Sequence, residues 1–359
     1  MIAAMAALGL LAAACESPSS TDVDVVVDGL DKPWDLGFLP DGTMLLTERP
    51  GRLSVAVDGQ AQLVDAPDDV VAVGEGGMMG MAIDPNFANN GFVYVCLASD
   101  LGSPTDVRLA RYKLSQDGEN VLGRTDIVTG MPHKSTGRHS GCRPRFGPDG
   151  FIYVGTGDAA IGTVPQDDDS LGGKVLRVTR SGNAAPGNPG GNLWLSKGHR
   201  NIQGIAFRNY DGFGVSVEHG PQVDDEVNEL VAGNFGWDPV PGYNESVPMT
   251  DTDAFPDAVP AFWSSGSPTL APSGATFIKG ANWGRWNGAL AVAMLKSTQL
   301  RIFVLDYETN EIVEEVPALT EFGRLRSPVM GPDGLLYVTT DGSNGSGKVL
   351  QVSPRFNEE

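Results

Sequence analysis

The sequence predicts an all-β protein, a six-bladed β-propeller built from four-stranded antiparallel blades. Three observations carry this reading. Glycine (47) and proline (25) are abundant among the 359 residues, and no segment has the Ala/Glu/Lys/Arg bias of a long helix, so the composition is that of many short strands joined by many turns. A Pro-Asp-Gly hairpin unit recurs along the chain. The residues after the first ~20 also divide into six units of about 56, a length that suits a blade with its loops. A repeated β-meander favours a propeller, with a sandwich or a two-domain β protein as the alternatives.

The elements follow in chain order. Met1 to Cys15 (MIAAMAALGLLAAAC) is an uncharged apolar run, too short for a spanning helix and suited to the hydrophobic region of an export signal. It ends in Ala12-Ala13-Ala14-Cys15, followed by a Ser/Pro tether, which resembles a bacterial lipobox with Cys15 as the lipidated residue. The run lacks a preceding Lys or Arg, and Ala12 stands where Leu is usual. The expectation is an exported protein, lipid-anchored at the cell envelope or secreted. Residues 1–20 form leader and tether, 21–355 the propeller and 356–359 a tail.

Val23, Val25 and Val27 mark an N-terminal strand, and Lys348 to Val352 a C-terminal one. Pairing the two in one blade would close the ring and hide its open edges. Between them, Leu39-Pro40-Asp41-Gly42, Gly147-Pro148-Asp149-Gly150 and Gly331-Pro332-Asp333-Gly334 each lead into an apolar strand. Proline presets φ and glycine accepts positive φ, which is hairpin chemistry. Asp84 to Val95 is a looser copy. Residues 244–262 are rich in Pro and Asp and read as a long loop over one face. In an oxidising compartment Cys96 and Cys142 are the right number for a disulfide, the alternative being two buried thiols.

The 45 acidic residues outnumber the 25 basic ones, for a net charge of −20. That field repels nucleic acid and anionic lipid, so neither is expected as a partner, and any membrane contact would run through the N-terminal lipid. Four segments look costly for a mere scaffold. His139, one of 4 histidines, precedes the second Pro-Asp-Gly hairpin and offers a general base. Arg200-Asn201, between glycines, offers a fork of donors and an amide for an oxygen-rich anion. Glu218 to Glu226 brings Gly220-Pro221 carbonyls near Asp225, a set that suits a hard cation, or an ordinary solvated acidic turn. Lys296, Arg324 and Arg326 are clustered cations in an acidic chain, for pairing with neighbouring acids or for holding a polyanionic ligand; Arg324 and Arg326 are two apart and would face the same way in a strand.

These segments, with LDKPWDLGFLPDGTMLLTERPGRL, GEGGMMGMAIDPNF, HSGCRPRFGPDG, GHRNIQG, EHGPQVDDEVNEL and RLRSPVMGPDGLLYV in this order, resemble the soluble PQQ-dependent sugar dehydrogenases, including the aldose sugar dehydrogenase branch. The resemblance spans about Leu30 to Pro354. It implies a six-bladed propeller with PQQ and Ca²⁺ on one face. It implies His139 as the base and Arg200 as the group that steadies developing charge. Arg200, Asn201, Thr269, Lys296, Arg324 and Arg326 would be the cofactor contacts. Gly220 and Pro221 would hold Ca²⁺ through their carbonyls, with Asp225 nearby. The implied reaction is hydride transfer from a sugar to PQQ, with an external electron acceptor.

Departures fall on the substrate side. Arg138 stands where family members carry Asp, Glu75 where they carry Gln, and Ala159 after Asp158 where Gln is found. Glu75, Arg138 and Asp158 are therefore the candidate substrate contacts, and glucose is not singled out. Two other classes stay open. A Ca²⁺-dependent lactonase or esterase would want carboxylates around a central metal and has no use for four cations. A non-catalytic carbohydrate- or protein-binding propeller at the cell envelope would explain the altered substrate side.

Overall fold

The computed structural model describes residues 16–356. Cys15 and most of the expected leader lie outside the described residues. The chain forms six antiparallel sheets arranged as blades. The first comprises Pro33–Phe38, Met44–Glu48, Arg52–Val57 and Gln60–Asp65; the second Met78–Ile83, Phe92–Ser99, Asp106–Leu114 and Val121–Met131. The third holds Arg143–Phe146, Ile152–Gly155, Lys174–Val178 and Trp194–Lys197; the fourth Ile202–Phe207, Gly214–Glu218, Glu226–Glu229 and Trp263–Ser264. The fifth is Pro272–Phe277, Leu290–Met294, Gln299–Leu305 and Ile312–Ala318. The sixth is Leu325–Met330, Leu336–Thr340 and Gly347–Arg355, with Ser20–Leu30 as its outer strand.

That last pairing closes the ring as the sequence predicts. Val23 faces Val352, Val25 faces Leu350 and Val27 faces Val349. The innermost strands of successive blades pack on one another, and the sixth packs on the first. The third blade departs from the four-stranded plan: Gly233–Asn234 adds to Trp194–Lys197 as a short parallel strand. The long segment between the last two strands of the fourth blade thus returns to the neighbouring blade before completing its own.

The repeated Pro-Asp-Gly units share one mechanism. Asp41, Asp149 and Asp333 each accept the backbone N–H two residues on, while Gly42, Gly150 and Gly334 take φ of 93°, 78° and 80°. The carboxylate mimics a backbone turn and glycine accepts the left-handed conformation. Asp149 and Asp333 also receive the hydroxyls of Tyr153 and Tyr337 at 2.9 Å, tying each turn to its own strand.

Apolar clusters fill the gaps between blades. One joins Trp34, Met79, Tyr94 and Cys96 to Cys142, Val154 and Leu176 across the first three blades. Cys96 and Cys142 are bonded within it as a disulfide, with Cα atoms 5.9 Å apart. Toward the axis the filling turns polar. Asp35, fully buried, pairs with both Arg143 and Arg145 at 2.9 Å, and the Arg143 guanidinium lies 4.2 Å over the Trp34 ring. The inner strands are thereby cross-linked by charge as well as by packing.

Candidate active site

Strands alternate in direction, so the connections from the fourth strand of one blade to the first of the next emerge on the same face as the second-to-third hairpins within blades. Every site residue named from the sequence falls there or at the first residues of an inner strand. Glu75, Arg138, His139, Arg200, Asn201, Thr269 and Arg324 come from the former connections. Asp158, Gly220, Pro221, Asp225 and Lys296 come from the latter. The topology gathers residues more than two hundred positions apart without any of them specifying the others.

His139 is buried and holds a left-handed φ of 53°, a conformation His tolerates better than most residues but still pays for in strain. Its Nδ1 lies 2.8 Å from Asp158 Oδ1 and 2.9 Å from the Tyr243 hydroxyl. Tyr243 also donates to Asp158 Oδ2 at 2.9 Å, and Trp237 Nε1 donates to the same oxygen at 2.9 Å. Burial, then the Asp158 charge, push the Tyr243 phenol above its ordinary value, so it stays a donor. With Nδ1–H directed at Asp158, the Nε2 lone pair is the free basic position of the ring.

Asp158 differs from the expectation. It was a candidate substrate contact, but its side chain is fully buried and its oxygens also accept the Ala160 N–H. A carboxylate surrounded by the His139, Tyr243, Trp237 and Ala160 donors orients the base and has no face left for a sugar.

Arg200 is also buried. Its backbone N–H donates to Glu218 Oε2 at 2.7 Å, its Nη1 to the His219 carbonyl at 2.9 Å and its Nη2 to Glu245 Oε1 at 2.6 Å. Its buried Nε has no hydrogen-bond partner among the described residues. Asn201 accepts the Gly141 N–H at 3.1 Å and donates to Glu75 Oε2 at 3.0 Å. Asp158 N–H donates to the Arg200 carbonyl and Ala159 N–H to that of His139, so the three loops are stitched together by backbone bonds. The adjacent His199 is structural. It is fully buried between Glu218 at 2.7 Å and Ser196 at 2.9 Å, and it stacks on Phe235.

The substrate-side candidates lie at the rim. Glu75 faces the Asn201 and Gln203 amides. Arg138 is exposed and donates to Glu245 Oε1 at 2.6 Å, the oxygen that Arg200 also holds. Burial would raise the Glu245 carboxyl, but bonds and charges from Arg138 and Arg200 outweigh it and hold the group at about 2.

The remaining cations form a second group. Lys296 Nζ donates to the Thr269 hydroxyl at 2.8 Å. Arg324 and Arg326 do face the same way, and both reach the Asp341 carboxylate, at 3.1 and 2.9 Å. Burial would raise Asp341; the two guanidinium groups overcome this and keep it below its ordinary value. Arg326 continues to Gln203 Oε1 at 3.2 Å, and Gln203 to Glu75. Pairing with an acid and facing the site are thus both true of these arginines.

The Gly220-Pro221 turn is folded so tightly that a Cβ at Gly220 would lie 2.0 Å from the Val223 carbonyl oxygen. Neither the Gly220 nor the Pro221 carbonyl accepts a hydrogen bond among the described residues. Asp225, the carboxylate expected near the ion, accepts the Gly220 N–H on Oδ1 and the Leu270 and Ala271 N–H groups on Oδ2, which fixes the turn. Among the described residues no three His, Cys, Asp or Glu side chains cluster for a metal. The donors on offer to a hard cation are therefore carbonyls, which suit Ca²⁺ when a ligand completes the shell. The unpartnered Arg200 Nε, the Lys296–Thr269 pair and the two arginines suit a flat, multiply charged carboxylate beside it. The residues fit both groups.

Sequence reasoning missed Tyr243, Trp237, Glu245, Gln203 and Asp341. Trp237 lies in residues 233–240 (GNFGWDPV), shortly after EHGPQVDDEVNEL, and Asp341 follows the third repeated strand, so both had a weak positional signal. Tyr243 and Glu245 sit at the start of a Pro/Asp-rich loop whose sequence does not say where it folds.

A family model described as Glucose / Sorbosone dehydrogenase matches residues 30–351. The chain is 33% identical to aldose sugar dehydrogenase YliI of Escherichia coli K12, over 94% of each protein. It is 27% identical to quinoprotein glucose dehydrogenase B of Acinetobacter calcoaceticus, over 89% of this chain and 85% of that one. The PQQ-bound aldose sugar dehydrogenase of Streptomyces coelicolor superposes with a TM-score of 0.78 at 28% identity, covering 94% of this chain and 99% of the other. With a ring of six blades that carries a histidine–carboxylate pair and a buried arginine on its loop face, the chain belongs to the glucose/sorbosone dehydrogenase family of sugar-oxidising quinoproteins.

Proposed function

We propose that this protein is a PQQ- and Ca²⁺-dependent dehydrogenase that oxidises an aldose, or a related alcohol, and passes the electrons to an external acceptor. One observation carries the reading: His139 is locked by Asp158 and Tyr243, and the incompletely bonded Arg200 guanidinium lies 5.7 Å from the Trp237 ring, whose Nε1 donates to the same Asp158. When bound, the quinone supplies the two-electron hydride acceptor and the ion its Lewis-acid activation.

The chain's own residues do the rest. Lys296, Thr269, Arg324 and Arg326 would hold the carboxylates of the cofactor. Gly220 and Pro221 offer their carbonyls to the ion. His139 Nε2 takes the proton of the substrate hydroxyl, and Asp158 stabilises the imidazolium that results. Arg200 and Asn201 stand as fixed donors where negative charge develops, so no reorganisation is needed at the moment of reaction. The apolar run before Cys15 and the paired cysteines support an exported location, with a lipid on Cys15 as the membrane tether.

The test is reconstitution. Purified protein is mixed with PQQ and Ca²⁺, then assayed with a panel of aldoses and a dye acceptor. Dye reduction with at least one sugar supports the proposal. Absence of both dye reduction and a PQQ spectral change would replace it with a non-catalytic binding propeller.

A further inference from the structure

The cations on the site face are not equally engaged. Arg138 and Arg200 share Glu245, and Arg324 and Arg326 share Asp341. Lys296 has, among the described residues, only the Thr269 hydroxyl for its ammonium group. Arg49, which lies in the quoted TERPGRL motif but was given no role there or in the proposed function, has no hydrogen-bonding or ion-pair partner for its side chain among the described residues. It comes from the second-to-third hairpin of the first blade, the connection type that supplies Asp158, Gly220, Lys296 and Asp341 in other blades. It is half-buried. Burial first, then the like charge of Arg326, hold its guanidinium below its ordinary value, although Asp341, Asp31 and Glu75 oppose this.

Arg49 also lines a cleft of about 290 Å³ with Asp31, Lys32, Ala72, Ser343 and Asn344. The one acid there, Asp31, accepts the Asn344 N–H at 3.0 Å and makes no hydrogen bond to Arg49. Its neighbour Lys32 takes a left-handed φ of 51°, and its carbonyl accepts the Arg49 N–H. A partly desolvated guanidinium with acids nearby but none bonded to it carries a cost that a directly bound anion would offset, and its planar fork matches a carboxylate.

We propose that Arg49 is a carboxylate-binding residue of the active site, with Lys32 as the second cation of its cleft. Two sources could supply the group: a carboxylate of the quinone cofactor, or the acid function of a uronate-type sugar. The inference rests on the dehydrogenase reading for the choice of these two ligands.

The test compares wild type with Arg49→Gln and Arg49→Lys, each checked first for an unchanged melting temperature without ligand. Calorimetric titration is run with PQQ in Ca²⁺ buffer, then with glucuronate and with glucose. Arg49→Gln should weaken one titrant by about tenfold or more, with Arg49→Lys between it and wild type because charge is kept and the fork is lost. A loss confined to PQQ assigns the cofactor; a loss for glucuronate but not glucose assigns an acidic substrate. If Arg49→Gln fails to fold, a weakening of about threefold or more in Arg49→Lys carries the proposal, and none overturns it. Wild-type affinity for every titrant in the variants overturns the role of Arg49 and leaves the dehydrogenase reading intact. If wild type itself binds neither PQQ nor sugar, both fall.

Discussion

Glu245 Oε1 lies 2.6 Å from Arg200 Nη2, and the same oxygen lies 2.6 Å from Arg138. A carboxylate from the chain thus occupies one side of the arginine that the proposed cofactor needs. It arrives on the long segment that also delivers Tyr243 to His139. An incoming anion must compete with it. Glu245→Gln should therefore tighten PQQ binding by about three- to tenfold, since a charge-assisted bond nets roughly 1–3 kcal/mol and only part of it is recovered. A fluorescence titration of the ligand-free protein reads this directly. Weaker binding in the variant would show that Glu245 organises Arg200 for the cofactor instead of competing for it.

The His139–Asp158 pair makes a separate prediction for turnover. His139→Ala should still bind PQQ but lose kcat by ~10²–10⁴, the usual worth of a positioned base. Asp158→Asn should lose a comparable amount, because an amide can present its NH₂ to Nδ1 and turn the wrong nitrogen toward the substrate. Tyr243→Phe leaves the carboxylate in place and should cost roughly tenfold. Retention of full activity in His139→Ala would mean that the base has been misassigned.

How far the site was legible follows from where its information lies. Repeated turn chemistry at Asp41, Asp149 and Asp333 is local, so the blade count and the strand pairing of Val23 with Val352 could be anticipated. His139, Arg200 and Lys296 sit in compact motifs, so they could be singled out as candidates. The surroundings of Asp158 and Asp225 were not legible because burial is not written locally: each looks like a free acid in a loop, and only packing shows which donors surround it. Tyr243, Glu245 and Arg49 reach the site through loop paths and hairpin geometry that residue types alone do not encode.

The Gly220 turn predicts a metal effect. Any side chain at this position would push Val223 and Asp224 away and move the two carbonyls off their common direction. Wild type with PQQ should melt at a higher temperature when Ca²⁺ is added, by an amount that corresponds to about 2.7 kcal/mol at a hundredfold excess over Kd. Gly220→Ala should lose most of that rise. A full rise in the variant would place the ion elsewhere.

The last prediction concerns pH. Glu226 is buried beside Glu218, with Asn228 bridging the two carboxylates and Thr250 donating to the outer oxygen. Burial first, and then the Glu218 charge, push Glu226 from an ordinary 4.5 up to about 8. A folded-state value above the unfolded one means that the native protein binds more protons between these limits. The stabilisation is complete below about 4.5 and is lost as pH rises toward 8. Glu226→Gln keeps the shape and removes the proton, so its melting temperature should exceed that of wild type at pH 8 and approach it at pH 5. Because Glu218 also holds the Arg200 backbone N–H, the same titration should loosen the arginine loop in wild type and not in the variant. Parallel melting curves for the two proteins across this range would contradict a protonated Glu226.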